Sequence, residues 1–187
     1  MGKIIAFVNQ KGGVGKTLLA DELAFEFDRE NIGYNIYDID GQGGLIHKQK
    51  RTEDAKYNIV DTPGQLTEDV TEVIKQSDVI IVPTRASERD QEPLERTLEL
   101  IARTKKKKAA VIIVLNGWNR YESYAQFEEW LSGVYTDYKI ITLPQSEPLN
   151  RAGSYGQSII EYNVRNQAAS QLKKLWSIVK YELGMKI

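Results

Sequence analysis

Short β-branched runs punctuate the chain at Ile4–Val8, Tyr34–Ile39, Tyr57–Val60, Val79–Val82, Val111–Leu115 and Lys139–Leu143. Several are apolar at consecutive positions, without the alternation of a half-exposed sheet, which is the pattern of strands covered on both faces. Between them the period changes. Leu19, Leu23 and Phe27 recur at i, i+4, and Leu94, Leu98 and Ile101 keep a helical spacing after a candidate cap at Ser87. This alternation predicts an α/β fold, a mainly parallel twisted sheet with helices on both faces and right-handed crossovers. A final stripe of Val164, Ala168, Leu172, Trp176, Val179 and Leu183 predicts a core-packing helix over 164–183. Its other use would be a membrane-surface helix, given Lys173, Lys174, Lys180 and Lys186 nearby. No internal repeat or low-complexity linker breaks the pattern, so residues 1–187 read as one domain.

Composition narrows the partners and the chemistry. The chain carries 25 Lys and Arg against 26 Asp and Glu, a formal net charge of −1, so binding to nucleic acid would need a local patch. There is no cysteine, which excludes disulfides, thiolate metal sites and a cysteine nucleophile. Met1-Gly2-Lys3 enters a strand-like run without a cleavable leader pattern. No apolar stretch approaches the roughly 18 residues of a spanning helix. A cytoplasmic protein is the expectation.

Directly behind the first strand stands NQKGGVGKT, residues 9–17. A strand, a glycine-rich turn and a helix bring backbone N–H groups and a positive dipole end onto one anion. Gly12, Gly13 and Gly15 permit the turn, Lys16 is placed for the β- and γ-phosphates, and the Thr17 hydroxyl for Mg2+. The loop departs from G-x-x-x-x-G-K-S/T at its first position, where Gln10 stands, and carries a second lysine, Lys11. YNIVDTPG supplies the acid that a hydrated metal needs, Asp61, at the end of a buried strand. YDIDGQGG ends another strand with Asp38 and Asp40 on one side. Asp40 is the better placed to orient a water, and Asp38 serves equally well as a turn aspartate.

Together these stretches resemble the deviant Walker A ATPases of the ParA/MinD group, within the P-loop NTPase-like folds. KGGVGKT is similar to the group's phosphate loop, DIDGQG to its D-x-D-P-Q-G segment and IVDTPG to its Walker B segment. The likeness continues through DVIIVPTRASERD and VIIVLNGWNR. LPQSEPLNRAGSYGQSIIEYNVRNQAASQLKKL resembles the closing part of ParA-type partition ATPases. The resemblance implies an ATP-sandwiched homodimer in which Lys11 contacts the nucleotide of the other subunit, as an arginine finger does. The alternative for Lys11 is a solvated loop charge. The implied catalytic set is Lys11, Lys16 and Asp40. ATP would be held by Gly12, Gly13, Val14, Gly15, Lys16, Thr17 and Leu18, with Asn116 and Pro144 at adenine, and Mg2+ by Thr17 and Asp61.

Four features depart from the group. Leu18 replaces a second hydroxyl residue, Gly41 a proline, and Gly64 a second proline. The span from Asp40 to Asp61 is short, which leaves little room for the helical structure the group usually builds there. With no helix-turn-helix ahead of the loop, the chain resembles the short partition ATPases. Such proteins bind DNA without sequence preference when dimerised and answer to a centromere-binding ParB-like adaptor. Arg120, Arg151, Arg165, Lys173 and Lys174 are the candidate DNA contacts. Lys105 to Lys108 fit either that surface or a solvated helix end. A nucleoid-associated state when ATP is bound and no stable membrane association are expected. A MinD-like membrane-cycling ATPase is the alternative, and a metabolic enzyme sharing the loop is a third.

Overall fold

Consecutive apolar residues in the strands serve two separate cores. Ile5 and Phe7 face one side of the sheet with Leu19, Leu23, Phe27 and Trp176. Ala6 and Val8 face the other with Ile74, Leu94, Leu98, Ile101 and Leu131. The computed structural model describes residues 2–41, 43–47 and 50–185. Its strands are β1 (Lys3–Phe7), β2 (Tyr34–Asp38), β3 (Tyr57–Asp61), β4 (Val79–Thr84), β5 (Ala110–Trp118) and β6 (Lys139–Pro144). They form one sheet in the order β2-β3-β1-β4-β5-β6, and each neighbouring pair is parallel. The helices are α1 (Lys16–Arg29), α2 (Glu68–Gln76), α3 (Glu88–Thr104), α4 (Glu122–Val134), α5 (Glu147–Ser154), α6 (Ile159–Tyr162) and α7 (Gln167–Glu182). Core residues of α1, α6 and α7 lie on one face, and those of α2, α3 and α4 on the other. Central β4 is buried at every position, as its unbroken apolar run requires.

All six expected strands form. β5 runs three residues further than its apolar core, through Asn116-Gly117-Trp118, with an irregularity in its register against β6. Gly117 makes this possible at φ +73°. The last helix starts later than the stripe predicted. The Asn166 side chain accepts the Ala168 N–H at 2.9 Å and so fixes the first turn of α7 at Gln167. Val164 is therefore left outside the helix and 56% exposed. Lys186 lies outside the described residues. Ser87 does stand at the cap of α3, but its hydroxyl bonds the Asp90 carboxylate and no backbone N–H.

Between β2 and β3 the described residues hold no helix, and the short span is tied down by side chains. Asp21 of α1 accepts the N–H groups of Ile46 (2.9 Å) and His47 (3.2 Å), and the His47 ring lies 2.8 Å away. Lys50 and Arg51 then run along the outer edge of β2. Ile36 donates its N–H to the Lys50 carbonyl at 3.0 Å, the Arg51 guanidinium bonds the Ile36 carbonyl, and it covers Tyr37 at 3.8 Å from the ring centre. α1 holds two later segments in the same way. Buried Glu22 accepts the Ser158 hydroxyl (2.6 Å) and the Ile159 N–H (3.0 Å), while Glu26 takes Lys180 of α7 at 3.0 Å.

Candidate nucleotide site

Beyond β1 the chain is pinned before it turns into α1. Val8 donates its N–H to the Ile81 carbonyl at 2.9 Å. Buried Asn9 donates to the Pro83 carbonyl at 2.7 Å and accepts the Lys11 N–H at 2.9 Å. The Gln10 N–H reaches the Thr97 hydroxyl of α3 at 3.2 Å. Gln10 thus fills the position where a glycine was expected without needing a glycine's dihedrals, because its backbone is held by α3. The turn itself falls on Gly13 (φ +73°) and Gly15 (φ +106°). A Cβ on Gly15 would stand 2.3 Å from the Asn116 amide nitrogen, so glycine is needed there for space as well as for conformation.

Lys16 curls back over the loop and donates to the Lys11 carbonyl at 3.1 Å. Burial lowers its pKa, opposed by the charges of Asp61 and Asp40. The Thr17 hydroxyl donates to Asp61 at 2.6 Å. Asp61 is 1% exposed, and its second carboxylate oxygen is buried without a partner among the described residues. Burial raises the Asp61 carboxyl to about 6, against the Thr17 hydrogen bond and the Lys16 charge. A hydroxyl and an orphaned carboxylate oxygen at one point are hard oxygen donors, the kind Mg2+ selects. The residues present fit that ion.

These groups border a cleft of roughly 880 Å3. Gly12, Gly13, Gly15, Lys16, Thr17, Leu18, Asp40, Asn116 and Pro144 line it. Val14 does not, since its side chain is buried, but its carbonyl accepts the Asn116 amide at 2.8 Å and ties β5 to the loop. Asp38 does not line the cleft and accepts the N–H groups of Asp40 (3.0 Å) and Gly41 (3.3 Å), the turn use of an aspartate. Lys11 is neither a free loop charge nor directed into the cleft. It pairs with Asp90 at 2.6 Å and donates to the Arg89 carbonyl at 3.2 Å. Asn9, Thr97, Asp90, Arg85 and Tyr124 were not marked by sequence. They reach the site through contacts across the fold, and no local pattern sets them apart.

The match to a family model decides the kinship: residues 5–159 fit the CobQ/CobB/MinD/ParA nucleotide binding domain. The chain belongs to this family. A search of curated proteins returns no match. Solved structures share the fold at low sequence identity. The ATP complex of McdA from Cyanothece aligns with TM-score 0.79 and 18% identity over 100% of this chain and 98% of that one. The cell division ATPase MinD of Pyrococcus furiosus gives 0.70 and 13% over 97% and 99%. An AMPPNP-bound protein of Borrelia burgdorferi, described as a plasmid partition protein, gives 0.69 and 15% over 95% and 99%.

The basic candidates of this family member are spread over several elements. Arg120 follows β5 at the cleft end of the sheet, Arg151 is on α5, Arg165 precedes α7, and Lys173 and Lys174 are on α7. All are exposed, and Arg151 pairs with Glu147 of its own helix. Lys105 to Lys108 lie between α3 and β5, at the end of the sheet opposite the cleft, and Lys106 is 3.5 Å from Asp78. That position suits a solvated helix end. No described helix is long and apolar enough to cross a membrane.

Proposed function

We propose that the chain is a ParA-type ATPase of DNA partition, in which ATP joins two copies into a dimer that binds DNA without sequence preference. Hydrolysis, stimulated by a ParB-like adaptor, then releases it. The observation that carries the reading is the Thr17–Asp61 pair with its orphaned oxygen beneath Lys16, combined with a second lysine at the other end of the same loop. In this reading Gly12 to Leu18 wrap the phosphates, Asn116 and Pro144 border the base, and Thr17 and Asp61 hold Mg2+. The ion supplies charge neutralisation at the phosphates. Asp40, in the cleft wall, orients the attacking water. Lys11 leaves Asp90 to reach the partner's γ-phosphate. Its positive charge there offsets the charge developing in phosphoryl transfer. Arg120, Arg151, Arg165, Lys173 and Lys174 contribute to the DNA surface, which dimerisation doubles. The protein works in the cytoplasm and rides on the nucleoid while ATP is bound.

The membrane-cycling alternative needs an amphipathic segment free to leave the fold. In α7, Ala168, Ala169, Leu172, Leu175, Trp176 and Val179 are all buried, so the stripe is used for packing. That observation favours DNA over a lipid surface. The test is co-sedimentation with DNA and with liposomes, each with ATP, ADP or no nucleotide. Retention on DNA with ATP alone is expected. Retention on liposomes, or binding to DNA regardless of nucleotide, would overturn the reading.

A further inference from the structure

Arg85 directly follows β4, two residues beyond the Pro83 carbonyl that holds Asn9. It lines the same cleft as Gly12, Gly13 and Lys16, and it is exposed. Among the described residues its guanidinium has no carboxylate partner. Asp90 is engaged by Lys11 and Ser87, and Asp61 by Thr17, while Asp40 lines the same cleft without an ion pair to Arg85. Lys11, the loop's first lysine, is likewise held away from the cleft. Arg85 is thus a cation in the cleft wall that the fold itself does not neutralise.

Its position along the loop can be fixed from its neighbours. The second half of the loop faces the base end of the cleft, because Asn116 bonds Val14 and closes on Gly15. The first half is bordered on one side by Gly64, whose Cβ position lies 3.1 Å from the Gly12 nitrogen. On the other side it is bordered by the 85–90 segment, since Lys11 bonds the Arg89 carbonyl. The segment that begins at Arg85 thus borders the loop's first half, and Arg85 is assigned to that part of the cleft, where the last phosphate of a bound nucleotide comes to lie. A guanidinium offers a planar fork of donors matched to two phosphate oxygens, which an ammonium does not.

We propose that Arg85 binds the terminal phosphate of the nucleotide in its own subunit and so makes the cleft discriminate a nucleoside triphosphate from the diphosphate. This rests on reading the cleft as an ATP site. It adds a cation acting within the subunit to one, Lys11, that acts between subunits.

The test is equilibrium binding of AMPPNP and of ADP, each with Mg2+, to the wild-type chain and to Arg85→Ala and Arg85→Lys. It is run at protein concentrations where the chain is monomeric, with circular dichroism to confirm the fold. Arg85→Ala should weaken AMPPNP on the order of tenfold or more and leave ADP within about twofold. Arg85→Lys should recover part of the loss. Equal losses for both nucleotides, no loss, or a loss seen only once the chain dimerises would overturn the assignment. If the wild type binds neither nucleotide, the ATP-site reading falls first and takes this inference with it. If it binds both and Arg85→Ala changes nothing, only the inference falls.

Discussion

Lys11 holds Asp90 at 2.6 Å with a third of its side chain exposed, and the carboxylate it covers is 4% exposed. Its charge is committed inside the subunit, so any contact with a second subunit's nucleotide must outweigh the cost of uncovering Asp90. Lys11→Ala should therefore act twice. Light scattering should show no ATP-dependent dimer, and denaturant unfolding should show a loss on the order of 1 kcal/mol for the broken pair. A fully dimeric variant that keeps stimulated hydrolysis would remove Lys11 from the interface. Gly15→Ala meets two obstacles, a left-handed φ and the Asn116 amide. The conformation alone should cost about 1–2 kcal/mol, and isothermal titration should show nucleotide binding lost with it. The glycines and Lys16 were legible in sequence because the chemistry of a phosphate loop is contiguous. Asn9 and Asp90 were not, because their meaning lies in Pro83 and Lys11, far along the chain.

Among the elements, α1 does more than present the loop. Its buried acids Asp21, Glu22 and Glu26 each fasten a different later segment, so whatever is felt at the α1 N-terminus is felt by those segments too. Burial raises the Glu22 pKa, with Ser158 and Ile159 pulling it back. A carboxyl raised on folding contributes stability that is complete below its unfolded value, near 4.5, and is lost as pH rises through the folded value. Urea unfolding should therefore show wild-type stability falling as pH climbs above 4.5, relative to Glu22→Gln, which has no charge to bury. Glu22→Ala should instead cost about 1–3 kcal/mol at every pH, since Ser158 and Ile159 lose their acceptor. Element type was legible throughout, because β-branched runs and helical spacing are strong local signals. The start of α7 was not, since Val164 fits the stripe and only the cap at Asn166 excludes it.

At the scale of the whole chain, two cores share one sheet, and Trp176 is the largest side chain buried without exposure. It joins α7 to the core that also holds α1. Trp176→Ala should cost about 3–5 kcal/mol. If the chain is one folding unit, circular dichroism and tyrosine fluorescence should then report a single coincident transition, rather than α7 melting first. The class of the sheet could be read from unbroken apolar runs. Its strand order could not, because adjacency is decided by crossovers that leave no mark on any one run. Nor could sequence foresee how the short span beyond Asp40 is used. By occupying the Ile36 amide and carbonyl, Lys50 and Arg51 cover the middle of an edge that would otherwise offer those groups to any extended chain. A second extended strand arriving there would meet charged side chains in place of that amide and carbonyl, which guards the middle of the edge against growth of a shared β-fibre.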